Sequence, residues 1–173
     1  GFRVSKFDEC VFLWKQHGKV TGVVGFHVDD GILAGNASFW TAMESVSKDL
    51  QFGSRKKSPF KYCGVRITQH KDFSIELDQE QAIDMLEPMA LNKKRKAEEL
   101  LTPTEVTDLR GRIGSLLYLT GNTRPLECYI VSHIAGYVTE ATVEHSRKID
   151  AAIYHCKATK DIHLKYYPYS DPS

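Results

Sequence analysis

No stretch of this chain approaches the roughly 20 apolar residues of a membrane span, and no charged-then-apolar leader opens it. No membrane partner is therefore expected. The four cysteines, Cys10, Cys63, Cys128 and Cys156, form no close pair. That spacing excludes a zinc knuckle and a Cys-x-x-Cys redox motif, and free thiols in a reducing compartment are expected. Net charge is only +1, from 23 basic and 22 acidic residues, so any basic surface must be local. Internal repeats, low-complexity tracts, a Gly-x-Ser-x-Gly elbow and a phosphate-binding loop are missing. The seven histidines give no metal motif. Cys128, His133, His155 and Cys156 could be gathered as a zinc set, but their intervals are unlike zinc-ligand spacing.

What is present is an ordinary globular balance, 42% hydrophobic and 26% charged over 173 residues. That length supports one domain or two small ones and a real core. Gly1 stands in a segment that reads as structured, without a methionine. The chain is therefore expected to be a piece of a longer polypeptide.

Residues 9–16 and 19–28 are β-rich apolar runs broken by His17-Gly18, and 31–35 continues as a third. Between the second and third stands His27-Val28-Asp29-Asp30. Asp29-Asp30-Gly31 reads as the tight turn, with two adjacent carboxylates at its tip. Such neighbours repel unless a cation sits between them, which suits a hard metal such as Mg²⁺. By spacing alone, ordinary turn chemistry is the favoured account of them.

Phe39, Met43, Val46 and Leu50 predict a helix over 38–50 with Ser38 as N-cap. Phe60 to Thr68 and Phe73 to Leu77 predict a hairpin turning at residues 70–72. Asp78 to Gln81 reads as a capping box for a helix carrying Ile83 and Leu86, which Pro88 ends or bends. Thr102-Pro-Thr-Glu105 is a second capping box. Its helix is expected to turn Val106, Leu109, Ile113, Leu116 and Leu117 inward and to stop near Gly121. Pro125 opens another with Leu126, Ile130, Ile134 and Val138 on one stripe. Residues 142–159 form the last, through Ile149, Ile153 and Cys156, and Ile162, Leu164 and Tyr166 alternate as a closing strand. The fold class is α+β: antiparallel hairpins with one helix, then a mainly helical region.

Several segments, in order, resemble the reverse transcriptase of copia-type (Ty1/copia) retrotransposons. Gly1 to Cys10 resembles the lead into the palm hairpin. His27 to Asp30 resembles the [Y/H]VDD box, Phe60 to Gly64 the primer grip, and Ile75 to Gln79 the start of the thumb. Ile113 to Thr120 with Thr123-Arg124-Pro125 resembles the GSLLYL…TRPD block, the most specific of these. In that family an acidic residue usually follows Thr-Arg-Pro. Here Leu126 does, with Glu127 one place later.

The resemblance implies a palm portion over 1–77 and a helical thumb and connection over 78–173. It implies RNA-directed DNA polymerisation, a Mg²⁺-dependent nucleotidyl transfer for which Mn²⁺ can substitute. Asp29 would be a principal metal ligand and Asp30 a supporting one, both catalytic. Tyr62, Cys63 and Gly64 would lie against the primer, and Lys93, Lys94, Arg95 and Lys96 would track a nucleic-acid backbone. Arg55, Lys56 and Lys57 form a similar basic stretch. Each run also reads as a solvated loop, the primer-grip triplet also reads as a strand interior, and Arg124 reads as a structural tie to a carboxylate or a helix C-terminus.

The partners implied are an RNA/DNA template-primer and the remaining polyprotein domains, fingers and RNase H. The setting is intracellular, in cytoplasmic virus-like particles or the nucleus. Only 26 residues precede His27, and none resembles the upstream palm segment with its own Asp. The chain alone is therefore expected to be inactive, to bind Mg²⁺ weakly or not at all, and to expose apolar palm surface through which it could self-associate. The alternative is a non-catalytic nucleic-acid-binding or protein-interaction module derived from a transposon. Tyr169 to Asp171 faintly resembles the first RNase H strand.

Overall fold

A computed structural model describes residues 1–50 and 52–168; the segment 169–171 lies outside them. It is a mixed α+β structure with two antiparallel sheets and five α-helices among the described residues. Contacts divide the chain into two compact units, Gly1–Lys57 and Ser58–Ser173.

The first unit is a meander of β1 (Phe2–Val4), β2 (Val11–Gln16), β3 (Lys19–His27) and β4 (Asp30–Gly35), in that order across the sheet, followed by α1 (Ala37–Asp49). Strand alternation gives the sheet two different faces. Phe2, Trp14, Gly22 and Gly35 fall in one cross-strand row. Val24 and Phe26 lie on the same face, and α1 covers it with Phe39 and Met43. Phe39 is fully buried, and a methyl group added at Gly22 or Gly35 would fall on its ring. These two glycines are there for space. The opposite face carries Arg3, Leu13, Val23 and Ala34 in register, with Ile32 beside them. Helix α1 begins one residue earlier than expected. Its N-cap is Asn36, whose side chain accepts from the Phe39 N–H at 3.0 Å, while Ser38 lies inside the first turn. Leu50 ends up exposed at the C-cap, past the stripe it was expected to join.

The second unit pairs β5 (Phe60–Tyr62), β6 (Val65–Gln69), β7 (Ile75–Asp78) and β8 (Leu164–Tyr166) in that order. Residues 60–68 are thus two strands rather than one. Cys63 (φ 45°) and Gly64 (φ 75°) make a two-residue turn with both residues in the left-handed region. Helix α2 (Glu80–Asp84) has no side-chain N-cap at Gln79. The Asp78 carboxylate accepts the Glu80 N–H at 3.2 Å but is held chiefly by Arg66, so the expected capping box is replaced by a tertiary ion pair. The helix stops before Pro88.

Helix α3 (Pro103–Thr120) has its full capping box, with Thr102 and Glu105 bonding reciprocally and Pro103 at the first position. It buries Leu109, Ile113, Leu116 and Leu119, whereas Leu117 faces outward. The 3.6-residue period puts Leu116 and Leu119 over the core and rotates Leu117 off it. After a 3-10 turn at Pro125–Glu127, α4 (Cys128–Gly136) buries Val131 and Ile134. Leu126 is exposed, because the 3-10 turn shifts the phase of the stripe. Helix α5 (Val143–Ala158) buries Ile149, Ile153 and Cys156 as expected. The closing strand starts only at Leu164, so Ile162 lies before it; Ile162 and Tyr166 are both exposed, β8 being an edge strand three residues long. The helices share one apolar core with Ile83 and Leu86.

Candidate functional site

The His27–Asp30 motif lies at the tip of the β3–β4 hairpin. His27 pairs with Asp30, so the turn is Val28-Asp29 rather than Asp29 to Gly31. Val28 has φ 54° and is 86% exposed. A β-branched residue in the left-handed region is strained, because its Cβ crowds the following carbonyl. Alternation places His27 and Asp30 on the sheet face opposite α1, and Asp29 sits in the turn beside them. Both carboxylates are exposed. Neither side chain has a hydrogen-bond or ion-pair partner among the described residues. The result is two hard oxygen donors on consecutive residues, without a counter-charge, at a hairpin tip.

The same open face carries a concavity lined by Arg3, Lys6, Lys15, Val4, Phe7 and Leu13. Three cations and no carboxylate line it.

The other expected site residues belong to the second unit. Tyr62 closes β5, Cys63 and Gly64 form the turn, and the Tyr118 hydroxyl of α3 donates to the Cys63 carbonyl. A Cβ on Gly64 would collide with that hydroxyl. Lys93, Lys94 and Lys96 are exposed in the loop before α3. Arg95 is drawn inward: its guanidinium donates to Glu99 at 2.7 Å, to Glu105 at 2.5 Å and to the Leu100 carbonyl at 3.2 Å. The Cys63-Gly64 turn meets α3 at Tyr118 and the basic loop meets it at Glu105. At 1.5 Å per residue the two contacts lie about 20 Å apart along that helix. Arg124 donates to the Thr159 carbonyl at 2.8 Å, tying the start of the Pro125 turn to the C-terminus of α5. Glu127 is buried and pairs with His155 of α5. Cys156 stays in the core, where burial first and the Glu127 charge second push its thiol up to about 11.

One cluster escapes a reading of the sequence. Asp78, Glu80 and His163 bring ligand-type atoms within 4.8 Å of one another, the one such group of three among the described residues. Its members are already engaged. Arg66 donates to Asp78 at 2.7 Å and reaches Glu80 at 3.4 Å. His163 faces Glu76 through Nδ1 at 2.7 Å and Glu80 through Nε2 at 2.8 Å. His70 stands 3.3 Å from the other Glu76 oxygen. Three carboxylates, Glu76, Asp78 and Glu80, thus share one arginine and two histidines. The alternation Glu76, Asp78, Glu80 was visible in the sequence, but its partner lies more than 80 residues away.

No family model matches the chain, no curated protein matches it, and no solved structure matches it.

Proposed function

We propose that the chain is the part of a copia-type reverse transcriptase that holds the [Y/H]VDD hairpin, the primer grip, the thumb and the connection. The observation that carries this reading is the hairpin tip: strained, exposed Val28 beside two unpartnered carboxylates. Strain of this kind persists where surrounding structure enforces it, and it clusters at functional sites. Aspartate is ordinary turn chemistry, but an unstrained surface turn would carry glycine or asparagine at the left-handed position that Val28 fills.

Hard carboxylate oxygens suit Mg²⁺, so Asp29 and Asp30 fit one side of a metal site. A bound ion would lower the pKa of a primer hydroxyl and stabilise charge on a transferring phosphate. The hairpin puts Asp30 on the side of the sheet away from α1, with Asp29 next to it in the turn. Arg3, Lys6 and Lys15 supply positive charge on that open face, and Lys93, Lys94 and Lys96 supply it in the second unit. The third carboxylate of such a site is not among these residues, so the chain alone binds the ion weakly and does not polymerise.

Millimolar Mn²⁺ is expected to broaden the amide resonances of residues 27–31 selectively, and Asp29→Asn with Asp30→Asn to abolish the broadening. Unbroadened signals at that hairpin would sink the metal-site reading. Primer extension on poly(A)/oligo(dT) is expected to give no product, and robust Asp29-dependent extension would refute the inactivity.

The outward Lys93, Lys94 and Lys96 favour a second reading, a non-catalytic binder of RNA–DNA hybrid. Its signature is salt-sensitive binding that neutralising these lysines removes.

A further inference from the structure

The closing strand β8 is held to the sheet by little backbone. Among the described residues its three residues pair only with β7, at Ile75–Tyr166, Glu76–Lys165 and Leu77–Leu164. Immediately before it, His163 is inserted between two carboxylates, with Glu76 2.7 Å from Nδ1 and Glu80 2.8 Å from Nε2. Its side chain is only 16% exposed. Both carboxylates need a donor at those distances. A neutral imidazole has one N–H and can serve only one of them; its other nitrogen would present a lone pair to an anionic oxygen. Only the imidazolium donates to both.

We propose that His163 is a pH-operated clip: protonated, it fastens β8 to β7 and α2, and on losing its proton it releases β8 and uncovers the β7 edge.

The groups facing it have one dominant sign. Glu76 and Asp78 come from β7 and Glu80 from α2. Arg66 of β6 is committed to Asp78 and Glu80, and His70 to Glu76. On its own segment, Lys165 follows in β8, while Lys160 pairs with Asp84 of α2. Burial of His163 opposes protonation, but the hydrogen bonds it donates to Glu76 and Glu80, with the negative charge of Asp78 and Glu76, outweigh it and raise its pKa above the ordinary 6.5. The clip is therefore fully engaged below 6.5 and is lost as pH rises through the raised value. Its partner sets the acid limit. The hydrogen bond from His163 outweighs burial and holds Glu76 below the ordinary 4.5, so the pairing survives until pH falls through that depressed value.

Hydrogen exchange followed by NMR tests this on the whole chain, with rates corrected for intrinsic exchange. Between about pH 6 and pH 9, protection of the Leu164–Tyr166 and Ile75–Leu77 amides that bond across β7–β8 is expected to fall at least about tenfold. Protection in α3 should stay constant. Histidine side-chain spectra should show both ring N–H groups of His163 at the lower pH. His163→Gln should remove the pH dependence, and His70→Gln should retain it. Glu80→Gln is the decisive variant. Its amide can donate to Nε2 of the neutral ring while Nδ1–H serves Glu76, so β8 should stay protected at the higher pH. Unchanged wild-type protection across the range would overturn the proposal. So would a His163→Gln or Glu80→Gln profile that follows wild type.

Discussion

Replacing Gly35 with alanine should destabilise the first unit although the residue is small and near the end of a strand. In most strands the change would help slightly, since alanine restricts the unfolded chain by about 0.4–1 kcal/mol. Here the new methyl falls on the ring of Phe39, which is fully buried in a small core with Val24 and Met43. Overpacking of this kind costs about 1–3 kcal/mol, so the net loss should be about 1–2 kcal/mol. The chain's two tryptophans, Trp14 and Trp40, both lie in this unit, so fluorescence during urea unfolding reports on it selectively. Phe39→Leu should remove the collision. The double variant Gly35→Ala/Phe39→Leu should then be more stable than the summed single effects predict, by about 1 kcal/mol. An unshifted midpoint for Gly35→Ala, or strict additivity in the cycle, would show that the glycine is not there for space.

Val28→Gly should raise the same urea midpoint, worth about 1 kcal/mol, because glycine accepts the left-handed backbone without a Cβ penalty; a lower midpoint would argue against strain at the tip. Thr102→Ala should cost the second unit about 1 kcal/mol of stability, read from helical circular dichroism during unfolding, through loss of the reciprocal cap with Glu105. Glu105 is held below its ordinary 4.5, first by the Thr102 backbone N–H, which outweighs burial, and then by Arg95. Its contribution is present above 4.5 and should vanish as pH falls through the depressed value, so the cost of Glu105→Gln should shrink in acid. Exposed Cys10, Cys63 and Cys128 should react with a thiol reagent in the native state, whereas Cys156 should react only on unfolding.

Where local chemistry suffices, the sequence was legible. The capping box at Thr102, the burial of Leu109, Ile113, Ile149 and Ile153, and the β-rich opening followed by helices all follow from periodicity and turn residues. Errors arose where a distant group competes for the same atoms. Asp78 was legible as a helix cap, yet Arg66 claims its carboxylate. Residues 60–68 looked like one strand because a positive φ at Cys63 carries no sequence signal, whereas glycine at 64 does. Leu117 and Leu126 were misplaced by a rotation of one residue, which periodicity resolves only once the facing helix is known.

The candidate site divides in the same way. Asp29 and Asp30 are adjacent in the chain, so their side-by-side placement was determined by sequence alone. Which face of the sheet Asp30 occupies, and that α1 covers the other, depended on β-register, a tertiary property. Arg95 was legible as a cation but not as an engaged one, because Glu105 reaches it only after α3 has formed. The His163 clip joins residues more than 80 positions apart, where no local rule operates. Short-range order came from backbone preferences and hydrophobic period. Which charges meet was decided only by the packing of β8 and α2 against β7.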